Sequence, residues 1–201
     1  MATAPRQLLS RPERQETILR GAAQAFAHGG FTATSMEDVA AASGITKLIV
    51  YRHFDSKEDL YRAVLQRVSD RLTEVFLAGI SRTDRRGVGV RSLLTVAREY
   101  PDGFSLLFRH AAREPQFAEY AHEHRDRAVF ASRSLLSPRI QDPVELTWAA
   151  ETVTSYLVEG VLHWLEFGSA DRDEEFVDWS TTGLHALVDA LVAQGARPRA
   201  R

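Results

Sequence analysis

The sequence predicts an all-α protein in two units: an amino-terminal three-helix domain, followed by a larger helical domain. Apolar residues recur at spacings of three and four along most of the chain, as they do on one face of a helix. Hydroxyl or aspartate caps stand in front of several of these runs, and glycine or proline closes them. No segment sustains the alternation of apolar and polar residues that a strand requires, so no sheet is expected.

Composition sets the outer limits. With 201 residues, 44% hydrophobic and 26% charged, the chain has the make-up of an ordinary globular protein with enough apolar material for two modest cores. No apolar run approaches the length of a membrane span, and no hydrophobic signal segment opens the sequence. A cytoplasmic location without a membrane partner is therefore expected. The absence of cysteine excludes disulfides, thiolate chemistry and Cys-ligated zinc. A formal net charge of −2 argues against indiscriminate coating of nucleic acid, yet leaves room for a local basic patch.

Residues 1–9 show no periodicity and read as a flexible arm, either a frayed terminus or a basic arm reaching DNA through Arg6. Ser10 and Glu13 form a capping box, after which Ile18, Ala22, Ala25 and Phe26 share a face until Gly29 and Gly30 end the helix. Thr34 to Glu37 fits a second box, with a hydroxyl at the helix entry and a carboxylate three residues on. Met36, Val39 and Ala40 supply that helix's apolar stripe, and Gly44 ends it. Thr46 is placed to cap a third helix. In that helix Val50 and Phe54 lie one turn apart toward the core, while Lys47, Leu48, Tyr51 and Arg52 fall on the other side.

Helix, tight glycine turn, and helix with an exposed basic and aromatic face make a helix-turn-helix, whose second helix enters a DNA major groove. By spacing alone the same pattern also fits a solvated helical corner in an enzyme or bundle. Residues 10–56 form this expected domain. Base reading falls to the front of the third helix. Lys47 or Arg52 suits guanine acceptors, Leu48 suits a thymine methyl, and Thr46 can add a hydroxyl. Thr34 and Ser35 can offer hydroxyls or amides to phosphate, although capping alone accounts for them.

Ser56 with Asp59 caps a connecting helix over 57–78, striped by Leu60, Val64, Val68, Leu72, Val75 and Phe76. Arg82 to Gly89 is polar and reads as a loop. Val90 to Ala97 suggests a helix ending before Pro101, Phe104 to Ala111 a short one ending before Pro115, and Phe117 to about Leu136 a longer one. Asp142, Pro143 and Glu145 are a strong start for a helix continuing to Gly168. A last helix runs from about Asp171 to Gln194, with Asp173, Glu174 and Glu175 in the first turn where the dipole favours negative charge. Residues 196–201 read as a flexible tail.

The stretch ITKLIVYRHFDSKEDL at 45–60, with MEDVAAASG before it and the approach FAHGGFTATS, resembles the signature of the TetR family of bacterial transcriptional regulators. The resemblance covers about residues 12–65 and combines Tyr51, His53 and Phe54 with Lys57 at a fixed offset. It implies that Tyr51, His53 and Lys57 contact phosphates. It also implies that the helix over 57–78 acts as a lever and that residues 57–195 bind a ligand and form a homodimer. Leu48 and Ile49 depart from the family pattern, which more often has small or polar residues there.

A dimer reads two half-sites about one turn of DNA, roughly 34 Å, apart, so the expected operator is a near-palindrome of double-stranded DNA. The last two long helices carry the expected interface: Val153, Leu157, Gly160, Val161, Trp164, Gly183, Leu184, Leu187 and Leu191. Their wide apolar arcs suit one face toward the domain and one toward a partner, the alternative being that both faces are internal. A small-molecule effector, apolar or aromatic, is expected between the helices of the second domain, with Phe104, Phe108, Phe130, Trp148 and Tyr156 as candidate lining. By spacing alone each of these also fits ordinary core. The expected function is a ligand-responsive regulator, most simply a repressor released by its effector; a helical enzyme or a protein-binding adaptor is the alternative.

Neither cofactor nor metal is expected. His122 and His124, two apart on a helix, do not face each other, and Glu159 with His163 lacks a third ligand. No phosphate-binding glycine loop or nucleophile motif supports an enzyme.

Overall fold

The computed structural model describes residues 10–195. In order, the helices are α1 Arg11–Gly29, α2 Met36–Ser43, α3 Lys47–His53, α4 Lys57–Ile80, α5 Val88–Glu99, α6 Pro101–Ser105, α7 Ala118–Leu136, α8 Pro143–Phe167 and α9 Asp173–Gly195. No strand occurs among the described residues. The expected arm at 1–9 and tail at 196–201 lie outside them. The chain divides into two compact units, Met1–Arg67 and Val68–Arg201, and α4 runs through the division without a break. That division lies inside α4 rather than at its start, because Leu60, Tyr61, Val64 and Leu65 are all buried in the amino-terminal unit.

In the amino-terminal unit, Ser10 and Glu13 close the expected box on α1. At α2 the box sits one residue later than Thr34–Glu37. Ser35 accepts from the Asp38 amide at 3.2 Å, and the Asp38 carboxylate accepts from the Ser35 amide at 2.8 Å. Both registers satisfy the sequence pattern, and tertiary packing selects between them. Thr34 is buried, and its hydroxyl donates to the carbonyls of Gly30 and Ala25 at 2.7 and 3.2 Å.

Helix α1 crosses the end of α2 at Gly21, where a Cβ would meet the backbone nitrogen of Ser43 at 2.6 Å. Only glycine permits that approach. Gly44 then takes the left-handed conformation (φ 63°) and returns its N–H to Ala40 and Ala41, turning the chain into α3. Ile18, Ala22, Phe26, Val39, Val50 and Leu60 are wholly buried and form the core. Phe26, Phe31 and Tyr61 extend it as an aromatic cluster with ring centres 5.0 to 5.9 Å apart.

In the carboxy-terminal unit, α8 packs against α5, α7 and α9. α5 ends at Glu99, before Pro101 as expected, and Pro101 itself then opens α6, since proline lacks only an N–H that a first turn leaves unused. A π turn at Leu106–His110 and a 3₁₀ turn at Ala111–Arg113 follow, so the expected short helix over 104–111 is irregular.

Partly buried ion pairs fasten the helices. Arg71 grips Glu99 through two bonds of 2.7 and 2.9 Å. Arg98 grips Asp173 through two of 3.0 and 2.8 Å, and the same carboxylate accepts the Trp164 indole N–H at 2.7 Å. Trp164 in turn stacks on Phe176 at 4.8 Å with 8° between the planes. These contacts assign Trp164 to the α8–α9 packing inside one subunit rather than to a face left open for a partner.

Candidate nucleic-acid interface

Helix α3 is only seven residues long, so it cannot hold itself helical in isolation. It is held by Val50, wholly buried, and by Phe54 at its end, 4% exposed. With those two anchored, Lys47, Leu48, Tyr51 and Arg52 stand outward together. Leu48 is 64% exposed. A large aliphatic side chain so exposed on the leading turn has no role in this unit's core. Thr46 occupies the N-cap position, but its side chain makes no capping bond, so the expected cap is positional only.

Lys47 is not presented alone. Its ammonium pairs with the Glu37 carboxylate on α2 and lies 5.6 Å from the centre of the Tyr51 ring. The Glu37 bond raises the Lys47 pKa, and the same bond lowers that of Glu37. Because Asp38 fills the box position, Glu37 is left to reach across the turn. His53 is half-buried, and its pKa is lowered first by burial and then by the charges of Arg11 and Arg14 on α1. Both effects favour the neutral form of the imidazole. Arg11 and Arg14 add positive charge beside α3. Sequence reasoning missed both, since only the packing of α1 brings them near.

Three of the expected phosphate contacts have other partners within the chain. The Thr34 hydroxyl points inward, as described above, and is not available to DNA. Lys57 directs its ammonium at the α1–α2 connector, donating to the carbonyls of Phe31, Thr32 and Thr34. Ser35 spends its hydroxyl on the α2 box. The face that remains comprises Thr46, Lys47, Leu48, Tyr51, Arg52 and His53.

In the carboxy-terminal unit the five aromatics expected to line one pocket do not converge. Phe104 is wholly buried and adjoins Phe108 at 4.6 Å, whereas Phe130, Trp148 and Tyr156 are 72%, 54% and 40% exposed. The 3.6-residue period fixes which residues share a face but not which neighbour covers that face. Beside Phe108 lies His124, buried, its ring 5.4 Å away and its Nδ1 2.9 Å from the Ser69 hydroxyl. Burial lowers the His124 pKa to about 4, with the Arg127 charge as a lesser cause. No group of histidine and acidic side chains able to hold a metal occurs among the described residues. No described helix is long and apolar enough to cross a membrane.

The expected dimer residues also divide. Val153, Leu157 and Val161 are buried within their own subunit, so they are core and not interface. Gly160, Leu184, Leu187 and Leu191 are half-buried. The outward faces of α8 and α9 instead carry Val144, Trp148, Tyr156, Phe167 and Trp179, with Gly183 exposed beside Tyr156. A Cβ at Gly183 would meet the Tyr156 oxygen at 2.6 Å.

Residues 18–64 match the family model described as bacterial regulatory proteins, tetR family. The transcriptional activator FasR of Mycolicibacterium smegmatis is 35% identical over 115 residues, 55% of this chain and 52% of that protein. A helix-turn-helix transcriptional repressor of Mycobacterium tuberculosis is 40% identical over 65 residues, 32% of this chain and 35% of that protein. The chain thus spans about half the length, or less, of these curated relatives. Among solved structures, a TetR-like regulator from Rhodococcus sp. RHA1 superposes with a TM-score of 0.71 at 21% identity, covering 94% of this chain and 98% of that one. AibR, solved with isovaleryl coenzyme A and operator DNA, superposes with a TM-score of 0.66 at 23% identity, covering 86% and 98%. The fold they share with this chain extends over both units.

Proposed function

We propose that this chain, whose residues 18–64 match the tetR family of bacterial regulatory proteins, is a cytoplasmic, ligand-responsive transcriptional regulator of that family. It binds a near-palindromic DNA operator as a homodimer and releases it when a small apolar or aromatic effector binds. The observation that carries this reading is the outward face of α3: Lys47, Leu48, Tyr51 and Arg52 are exposed together while Val50 is wholly buried beneath them. Lys47 and Arg52 read guanine edges, Leu48 packs on a thymine methyl, and Thr46 adds a hydroxyl. Tyr51 and His53 fix register on the phosphates.

Homodimerisation through the outward faces of α8 and α9 is supported by their exposed aromatics, Trp148, Tyr156 and Trp179, and by the small residue Gly183 among them. Exposed apolar side chains gathered on adjoining helices mark interaction surfaces. For the effector, Phe104 and Phe108 remain the candidate contacts, beside the polar pair Ser69 and His124. Helix α4 is common to both units, so an effector that favours one setting of α4 disfavours the DNA-bound one, and DNA and effector weaken each other equally. The relatives include an activator and a repressor; repression is the simpler assignment, because release by an effector then needs no further contact.

Selection of bound fragments from a random-sequence pool tests the reading. The expected result is enrichment of one near-palindrome. Arg52→Ala weakens binding to it by about 1–3 kcal/mol and relaxes preference at one base position, and Tyr51→Ala weakens it uniformly. A pool that emerges unenriched, with wild type and both variants retaining the same DNA, overturns the proposal.

A further inference from the structure

Lys57 opens α4, yet its ammonium points back at the connector between α1 and α2. The Nζ donates to the carbonyl oxygens of Phe31, Thr32 and Thr34 at 2.9, 3.2 and 3.0 Å. An ammonium carries three hydrogens, and these bonds use all of them. The Nζ also lies 4.5 Å from the centre of the Phe31 ring, in cation–π range. One turn further along α4, Tyr61 sets its ring edge-on to the same phenylalanine at 5.2 Å. The first turns of α4 therefore hold the connector in two ways, by charge through Lys57 and by apolar contact through Tyr61.

What the connector controls gives this its interest. Thr34 immediately precedes Ser35, the N-cap of α2, and α2 packs on α3. To reach a phosphate, the ammonium would have to give up three charge-assisted bonds to converging carbonyls in exchange for one new contact. We infer that Lys57 is a positioning residue: it anchors the 31–34 connector, fixes the entry of α2 and hence the set of α3, and makes no direct contact with a DNA phosphate. The last clause rests on the DNA-binding reading above; the anchor itself does not.

Two variants of the full chain test it. Lys57→Met removes both donors and charge. Lys57→Arg keeps the charge, but its planar fork cannot aim three hydrogens at one convergent cage. Without DNA, amide exchange over residues 31–38 is expected to accelerate roughly tenfold in both variants, with α8 unchanged. With DNA, the probe is the duplex that the wild type enriches from a random-sequence pool, compared with an unselected duplex across a salt series. Both variants are expected to bind the selected duplex roughly tenfold more weakly and the unselected one as before. The slope of log affinity against log salt stays at its wild-type value, whereas losing one phosphate contact from each subunit of the dimer lowers its magnitude by about 1.8.

A slope lowered by that amount in Lys57→Met overturns the inference. So does wild-type exchange over 31–38, or wild-type binding by Lys57→Arg. If Lys57→Met does not fold, the arginine variant carries the test alone. If the wild type enriches no duplex, the DNA-binding reading fails, and the exchange measurement still decides the anchor.

Discussion

The two units use helices of very different length and hold them in different ways. In the amino-terminal unit α2 and α3 are eight and seven residues long. Such helices exist only because a capping box, a left-handed glycine and a few deeply buried anchors fix them individually. In the carboxy-terminal unit α8 and α9 are 25 and 23 residues long, and packing and ion pairs between helices hold them. The difference decides what exposure means. On a short helix whose anchors are fully accounted for, an exposed Leu48 has no structural task left, and its exposure points to a partner. On a long helix with a wide apolar arc, exposure sorts residues only after every neighbouring helix has been placed.

The largest test of this contrast replaces one phenylalanine in each unit. Phe26 is wholly buried in the cluster with Phe31 and Tyr61, and Phe26→Ala is expected to cost about 3–5 kcal/mol. Against a total stability of about 5–15 kcal/mol, that loss unfolds the amino-terminal unit well before its neighbour. Phe130 is 72% exposed, and Phe130→Ala is expected to stay within about 0.5 kcal/mol. Urea titrations followed by circular dichroism compare the two; equal losses would remove the distinction between anchored and unassigned aromatics.

A second test concerns pH and belongs to the carboxy-terminal unit. Burial lowers the His124 pKa from its ordinary 6.5 to about 4. The native state therefore binds this proton less readily than the unfolded chain does. The stabilisation is complete above pH 6.5 and is lost as pH falls through the interval down to about 4, by roughly 3 kcal/mol in all. His124→Gln, which does not titrate, is expected to flatten that part of the stability profile while lowering the neutral-pH value. Urea midpoints at pH 7 and pH 4.5 check it. A wild type that loses no more than the variant between those values would show that the imidazole is not buried neutral.

Next in size is the glycine crossing. On an exposed helix Gly→Ala stabilises by about 1 kcal/mol. At Gly21 the new methyl would press on the Ser43 hydroxyl and also on the Ser43 backbone nitrogen at 2.6 Å, which cannot swing aside as a side chain can, and overpacking of this kind costs about 1–3 kcal/mol. Gly21→Ala is thus expected to lower the thermal midpoint of the amino-terminal unit. A rise would mean that α1 and α2 separate without cost, and that the unit is less tightly specified than its short helices imply.

The same contrast explains how much the sequence disclosed. Helix positions were legible in both units, because caps and three-to-four spacing are local properties; only the irregular segment after Pro101 escaped, since proline both opens and closes helices. The outward face of α3 was legible because Val50 and Phe54 leave a single orientation for a seven-residue helix. The box at α2 was ambiguous by one residue, since Thr34–Glu37 and Ser35–Asp38 satisfy the same pattern, and only burial of Thr34 chooses between them. Val153, Leu157 and Val161 could not be told from interface residues, because covering by α5, α7 and α9 depends on the tertiary arrangement. The partners of Lys57 were out of reach of spacing for a related reason: its three carbonyl acceptors lie 23 to 26 residues earlier.

The smallest expected effect is also the one closest to function. Glu37 could pair with Lys47 because Asp38, not Glu37, completes the box, and the pair sets a carboxylate among the residues proposed to meet DNA. Both partners are exposed, so the pair itself contributes little to stability. Its consequence is competition: DNA must win Lys47 from Glu37 and must tolerate an anion near its own phosphates. Glu37→Gln keeps the shape and removes the charge. It is expected to leave the thermal midpoint unchanged and to tighten binding to the selected duplex by less than about fivefold, with a similar gain on unselected duplex, because the change is one of charge and not of base reading. Glu37→Ala leaves Lys47 equally unpaired, so a gain seen with glutamine alone would point to a new amide contact rather than to the lost carboxylate. Weaker binding in both variants would mean that Glu37 aims Lys47 at its base, and that even on α3 an exposed side chain depends on its neighbour for direction.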